Sequence, residues 1–302
     1  MVNSGLPVKN IYALAIDPNN SQIVFSGTEY FGVFKTINGG TSWSTVNNGL
    51  TRLRVWSLAI DPNNSQTIYA GTYYNGVFKT SAAGTFWDAR NSGLSSMRIY
   101  ALAIDPDNSQ TLYAATGEYA GIFKSTNGGE DWSSAVSGTA LALAIDPGSP
   151  QTVYAGMDSH GVYKTTTGGA SWVAVNSGLT TARVFTLAID RNNSQTLYAG
   201  TIGGGIFKTT TGGSSWSAVN TGLTTLYLRV IAIDPNDSQT IYAGTGGGGV
   251  FKTTNAGTTW NEINTGLDSA YIQALAIDPN DSQIIYAGTS GGVYASANGG
   301  TA

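Results

Sequence analysis

The sequence predicts an all-β fold: a seven-bladed β-propeller of four-stranded antiparallel blades. Three observations predict it. A unit of about 44 residues recurs seven times along the 302-residue chain. Each unit reads as four short strands separated by turns rich in Gly, Asn and Pro. No segment carries a helical period.

The repeat is marked by an Ala-Ile-Asp segment, usually followed by Pro. Its Asp stands at Asp17, Asp61, Asp105, Asp146, Asp190, Asp234 and Asp278, at intervals of 44 residues except for 41 between the third and fourth. A Trp follows 26 residues later, or 27 in the third unit, at Trp43, Trp87, Trp132, Trp172, Trp216 and Trp260. A Trp at that period is expected to wedge between blades, because burying so large a ring is worth roughly 4–6 kcal/mol at most.

The fifth unit shows the strands in order. Val184–Ile189 is apolar at nearly every position and reads as a first strand buried on both faces. Asp190 to Ser194 is a polar turn, Thr196–Ala199 a second strand, and Ile202–Gly205 a loop. Ile206–Thr209 is a third strand, a Gly-Gly turn follows, and Ser215–Val219 is the fourth. Applied throughout, the period gives one propeller domain over residues 1–302. Its blades lie near 7–49, 50–93, 94–138, 139–178, 179–222, 223–266 and 267–302, the last completed by 1–6. The completion follows from Val2-Asn3-Ser4-Gly5-Leu6, which matches Val175-Asn176-Ser177-Gly178-Leu179. The N-terminal segment is thus expected to supply the outer strand of blade seven. That blade lacks its Trp, so its junction is expected to be the weakest.

Composition bounds the function. Charged residues are only 11% of the chain and the net charge is -4. Nucleic-acid binding needs clustered Lys and Arg, so no nucleic-acid partner is expected. No apolar run approaches the 18 residues of a membrane span. There is no Cys and one His, so neither a thiolate nor a classical zinc site is expected, and no cofactor is implied. The first residues do not read as a signal peptide. The Gly-, Asn- and Thr-rich surface suits an exported bacterial protein, extracellular or at the cell surface, here a piece of a larger surface protein or assembly.

The turn before each Trp has the form Ser/Thr-x-Asn/Thr-x-Gly-x-x-Trp, as in Thr36-Ile37-Asn38-Gly39-Gly40-Thr41-Ser42-Trp43 and Ser125-Thr126-Asn127-Gly128-Gly129-Glu130-Asp131-Trp132. This resembles the Asp-box, or BNR, repeat of sialidases, sortilin, xyloglucanase-type glycoside hydrolases and photosystem II assembly factors. The resemblance covers the whole chain and implies a propeller; it does not select one function. The Asp that names the box is absent from every copy, replaced by Asn, Thr or Ala, and the box is read as a structural turn. The Asp-Pro turns could suggest calcium loops, but they lack the later bidentate acid, so self-capped turns are expected. They also form sequons at Asn19, Asn63, Asn192, Asn236 and Asn280.

Function is sought where the repeats differ, because shared residues are already explained by folding. The Asp-Pro turns and boxes fall at one end of the blades, and the strand 2–3 loops and inter-blade links at the other. The second end is uneven. Its candidate ligand-binding residues are Tyr30, Phe31, Tyr73, Tyr74, Glu118, Tyr119, Asp158 and His160 on the loops. Arg54, Arg98, Arg183, Tyr227 and Tyr271 join them, seven residues before each repeat Asp. Two residues further on, another varied position holds Tyr12, Trp56, Tyr100, Leu141, Phe185, Arg229 and Gln273. Aromatic faces, acids and Arg donors together suit a glycan or a protein segment.

The expected function is therefore a non-catalytic binding or scaffold module without catalytic residues. The alternative is a glycosidase-related enzyme. A sialidase-like site would use Arg54, Arg98 and Arg183 for a carboxylate, but these Arg share a repeat position that duplication alone creates. A xyloglucanase-like site would need two opposed acids and normally a second propeller.

Overall fold

The computed structural model describes residues 2–6 and 10–300. The expected start of blade one at 7–9 and the chain end at 301–302 lie outside them. The fold is the predicted all-β, seven-bladed propeller. Among the described residues, 27 strands form seven antiparallel sheets and there is no helix. In the first blade β1 is Ile11–Ile16, β2 Val24–Thr28, β3 Val33–Thr36 and β4 Ser44–Thr45, hydrogen-bonded in that order. Five further sheets repeat the order, and the seventh contains three strands. There Val2 N donates to Val293 O at 3.0 Å, and Val293 N donates to Asn3 Oδ1 at 2.7 Å. The N-terminal segment thus borders the third strand of blade seven, as its likeness to 175–179 predicts.

Two sequence expectations change. The strand buried on both faces is the second of each blade, not the first. All five residues of Val24–Thr28, Ile68–Thr72 and Leu197–Thr201 are buried, whereas half or more of each corresponding first strand is only partly so. The first strand is apolar because it packs beside its neighbour, yet much of it stays partly accessible. The fourth strand is also shorter than predicted, two residues at Ser217–Ala218 where five were expected.

The chain divides into two compact units, Met1–Ala140 with Gly288–Ala295, and Leu141–Ala287 with Ser296–Ala302. Each builds its core between blades. In the first unit Phe25 and Val33 of one blade pack with Val55, Ile68, Phe78 and Trp87 of the next. In the second unit Tyr198 and Ile206 pack with Leu228, Ile241, Phe251 and Trp260. Trp43, Trp87, Trp132, Trp216 and Trp260 are buried as expected. Each donates its Nε1 to a backbone carbonyl, as Trp87 does to Val46 O at 2.7 Å. Trp172 departs: it is only partly buried, and its Nε1 has no acceptor among the described residues.

The repeated residues are spent on the turns. Thr36 Oγ1 accepts Gly40 N at 3.0 Å, and Asn38 Oδ1 accepts Ser42 N at 2.9 Å, so Asn does the work of the missing Asp. Thr167 and Thr211 do the same through their hydroxyls. Four of the boxes are then clamped by a Tyr and a Lys of the preceding blade. Tyr69 Oη and Lys79 Nζ both donate to Gly128 O at 3.0 Å, and Tyr154 with Lys164 do so to Gly212 O. Burial pushes the Tyr69, Tyr113 and Tyr242 phenols up to about 12 and lowers the Lys79 ammonium. The Asp-Pro turns are self-capped: Asp61 Oδ1 accepts Asn63 N at 2.9 Å and Ser109 Oγ of the next blade at 2.7 Å. No group of acids and His suited to a metal exists among the described residues.

Candidate binding surface at the bulged ends of the first strands

The two varied positions are hydrogen-bonded partners. The first loop residue donates its backbone N–H to the carbonyl of the residue seven before the repeat Asp. Glu29 pairs so with Asn10, Tyr73 with Arg54, Gly117 with Arg98, Ile202 with Arg183 and Gly246 with Tyr227, at 2.9–3.1 Å. Within each unit the uneven loops and the uneven links therefore lie side by side.

Directly after this bond the first strand bulges. The register skips Tyr12, Trp56, Tyr100, Phe185 and Arg229, each of which is the extra residue of its ladder. A bulge leaves one residue unpaired and re-aims its side chain. These side chains consequently meet along the strand ends instead of joining the alternating pattern.

In the first unit the bulged residues form an aromatic row. The Tyr12 and Trp56 rings lie 5.5 Å apart, and Trp56 and Tyr100 5.0 Å. Tyr73 packs on Trp56 at 4.2 Å, and Tyr74 meets Tyr73 edge-on at 4.3 Å. Arg54 lies over Tyr73 at 4.3 Å and over Trp56 at 5.3 Å. Arg98 lies over Tyr73 at 5.1 Å and Tyr74 at 5.3 Å. Such contacts contribute roughly 0.5–2 kcal/mol each, more as water is excluded. Each guanidinium also holds an acid: Arg54 Nη2 is 3.2 Å from Glu29 Oε1, and Arg98 Nε is 3.2 Å from Glu118 Oε1. Glu29 further accepts from Asn10 Nδ2, and Ser96 Oγ donates to Glu118 at 3.2 Å. The Glu29 carboxylate hydrogen-bonds and so raises the Tyr30 phenol; burial raises that of Tyr12, against the pull of Arg54.

The predicted residues sort into a base and a tip. Tyr73 is partly buried in the base, beside the buried Glu29, which was not among the sequence candidates. Tyr30, Phe31, Tyr74 and Tyr119 are the tips, 63%, 42%, 52% and 80% exposed. Glu118 and Tyr119 both adopt left-handed backbone, φ 57° and 61°. Their loop is pinned by Gly138 N to Tyr119 O at 3.0 Å and Tyr119 N to Thr139 Oγ1 at 3.2 Å. Two consecutive non-Gly residues in that region cost about 1–3 kcal/mol each and persist only where surroundings impose them.

In the second unit Arg183 Nε is 2.7 Å from Asp158 Oδ1. His160 is exposed, and its carbonyl accepts Asn176 Nδ2 at 2.8 Å. Tyr227 and Tyr271 are 37% and 58% exposed. Arg229 lies over Phe185 at 4.9 Å and Tyr227 at 5.1 Å. Trp56, at the centre of the first row, and Arg229 were not among the sequence candidates. The only available signal was that both occupy a position that varies between repeats.

This fold is shared with propellers of several kinds. The GH74 xyloglucanase from Xanthomonas campestris matches 97% of this chain with a TM-score of 0.81 at 16% identity, and the chain covers 52% of that protein. YCF48 from Cyanidioschyzon merolae matches 96% of each chain with a TM-score of 0.70 at 15% identity. The extracellular domain of the putative one-component system BT4673 from B. thetaiotaomicron matches 97% of this chain and 39% of its own, with a TM-score of 0.75 at 15% identity. The protein thus has the fold of the BNR-type propellers, and likeness at this identity establishes the fold alone. The chain spans about half the length of the xyloglucanase. No protein-family model and no curated protein matches the sequence.

Proposed function

We propose that the protein is a non-catalytic binding module whose ligand, a glycan or a protein segment, sits on the rim of blades one to three. The observation that carries this reading is the Arg54–Tyr73–Arg98 stack on Trp56, crowned by the exposed rings of Tyr30, Tyr74 and Tyr119. A partly buried, cross-linked base under exposed aromatic tips is the composition of a recognition surface. Both acids of this rim, Glu29 and Glu118, are tied to their own Arg, which supports binding over acid–base chemistry. One structural neighbour is YCF48 bound to D1 peptide, and others are extracellular domains of putative one-component and hybrid two-component systems, which supports a ligand-binding role outside the cell.

A glycan array followed by a protein pull-down tests this. Binding that weakens in Tyr74→Ala or Tyr119→Ala supports it. Turnover of a sialoside or β-glucan that disappears in Arg98→Ala or Glu118→Ala replaces it with a glycosidase.

A further inference from the structure

We propose that Arg229 anchors a second site, in the second unit, that takes the carboxylate of an acidic sugar: a hexuronate residue of a polysaccharide.

The argument starts from what Arg229 lacks. Arg54, Arg98 and Arg183 each hold an acid. Arg229 makes no ion pair, and none of its side-chain N–H groups finds an acceptor among the described residues. The residue is nonetheless partly buried, and its guanidinium lies over Phe185 at 4.9 Å and Tyr227 at 5.1 Å. A guanidinium presents five donors in a rigid planar fork that matches a carboxylate in two bonds. Held by two rings, it loses little freedom when that anion arrives.

The geometry around it is also set in advance. Arg229 is the extra residue of a bulge between Leu228 and Val230, and Phe185 is the same residue of the preceding blade. Tyr227 rests on Gly246, where a Cβ would stand 2.5 Å from the ring. Gly247 beyond it faces open space. The loop there carries no side chain, so a flat ligand has room. The exposed Tyr271 ring and the Tyr227 ring offer faces for the C–H side of a pyranose. A carboxylate fixed on a ring matches this set better than one on a flexible peptide side chain.

Calorimetric titration of the intact protein with oligogalacturonate tests the proposal, with its methyl ester and poly-glutamate as comparison probes. Oligogalacturonate is expected to bind, more weakly as salt rises, and its ester, which keeps the ring but not the charge, is not. Arg229→Gln should weaken binding about tenfold or more. Arg229→Lys, which keeps the charge and loses the fork, should fall between the two and serves in its place if Arg229→Gln does not fold. Tyr74→Ala should leave this titration unchanged, which separates it from the rim of blades one to three. No oligogalacturonate binding, equal binding by Arg229→Gln, loss in Tyr74→Ala, or tighter binding of poly-glutamate would each overturn the assignment.

Discussion

The Arg54 guanidinium stands 4.3 Å from the centre of the Tyr73 ring and 3.2 Å from the Glu29 carboxylate. Tyr73 belongs to the same blade as Arg54, and Glu29 to the blade before. Arg54 therefore ties two loops together through one side chain. Arg98 and Arg183 use the same position to reach Tyr73 and Asp158 of their preceding blades. A position that duplication made has become a brace wherever an Arg occupies it.

Removing the acid from that brace should be costly. Glu29 is buried and accepts from both Arg54 and Asn10. Glu29→Ala takes the carboxylate away from a partly buried cation, and is expected to destabilise by about 1–3 kcal/mol. Glu29→Gln, which keeps an acceptor oxygen but loses the charge, should cost less. Denaturant midpoints of the two variants check the order, and equal stabilities would contradict the brace.

The tips should behave in the opposite way. Tyr119 is 80% exposed and sits at φ 61°. Tyr119→Ala should change stability by less than about 0.5 kcal/mol while weakening ligand binding. Tyr119→Gly should raise stability slightly, since Gly adopts positive φ without a steric penalty. Melting temperature and affinity measured on the same samples separate the ring's two effects.

One glycine carries a stronger expectation. Gly205 has φ 78°, and a Cβ there would stand 2.3 Å from Asn220 Oδ1, the atom that accepts Ile206 N at 2.7 Å. Gly205→Ala should both strain the backbone and displace the Asn that holds the loop to the fourth strand, at about 1–3 kcal/mol. Gly203, also at positive φ but with nothing within 4 Å, should tolerate Ala better. Thermal unfolding of the pair checks the difference.

The fold was legible because one period carries every signal at once. Asp, Lys and Trp recur at fixed offsets, and each serves a turn or junction that the other blades also need. The rim was legible only in outline. Tyr30, Tyr73 and Tyr74 differ between repeats and so stood out, but which ring lies outward depends on packing the pattern does not encode. Trp56 and Arg229 escaped because a bulge cannot be read from composition. An apolar first strand looks continuous whether or not its second residue is left out of the ladder. The same ambiguity made the first strand, and not the second, read as buried on both faces.

The clamp on the boxes predicts an alkaline limit to stability. Burial holds Tyr69, Tyr113 and Tyr242 near 12, against 10.0 for a free phenol. Tyr69 and Tyr242 donate to Gly128 O and Gly299 O, which a phenolate cannot do. Raised folded values mean that the folded state keeps protons the unfolded chain has already released. The stabilisation is complete below about pH 10 and is lost as pH rises toward 12. The lowered Lys79 and Lys208 act in the other direction, but only up to the 10.5 of a free ammonium, so above that value the phenols decide the slope. Tyr69→Phe should cost about 0.5–1.5 kcal/mol at neutral pH for the lost hydrogen bond. It should also flatten the alkaline fall, because one titrating group is gone. Chemical unfolding of both proteins between pH 8 and about 12 reads the two effects together, and parallel curves would show that Tyr69 is not held protonated by the fold.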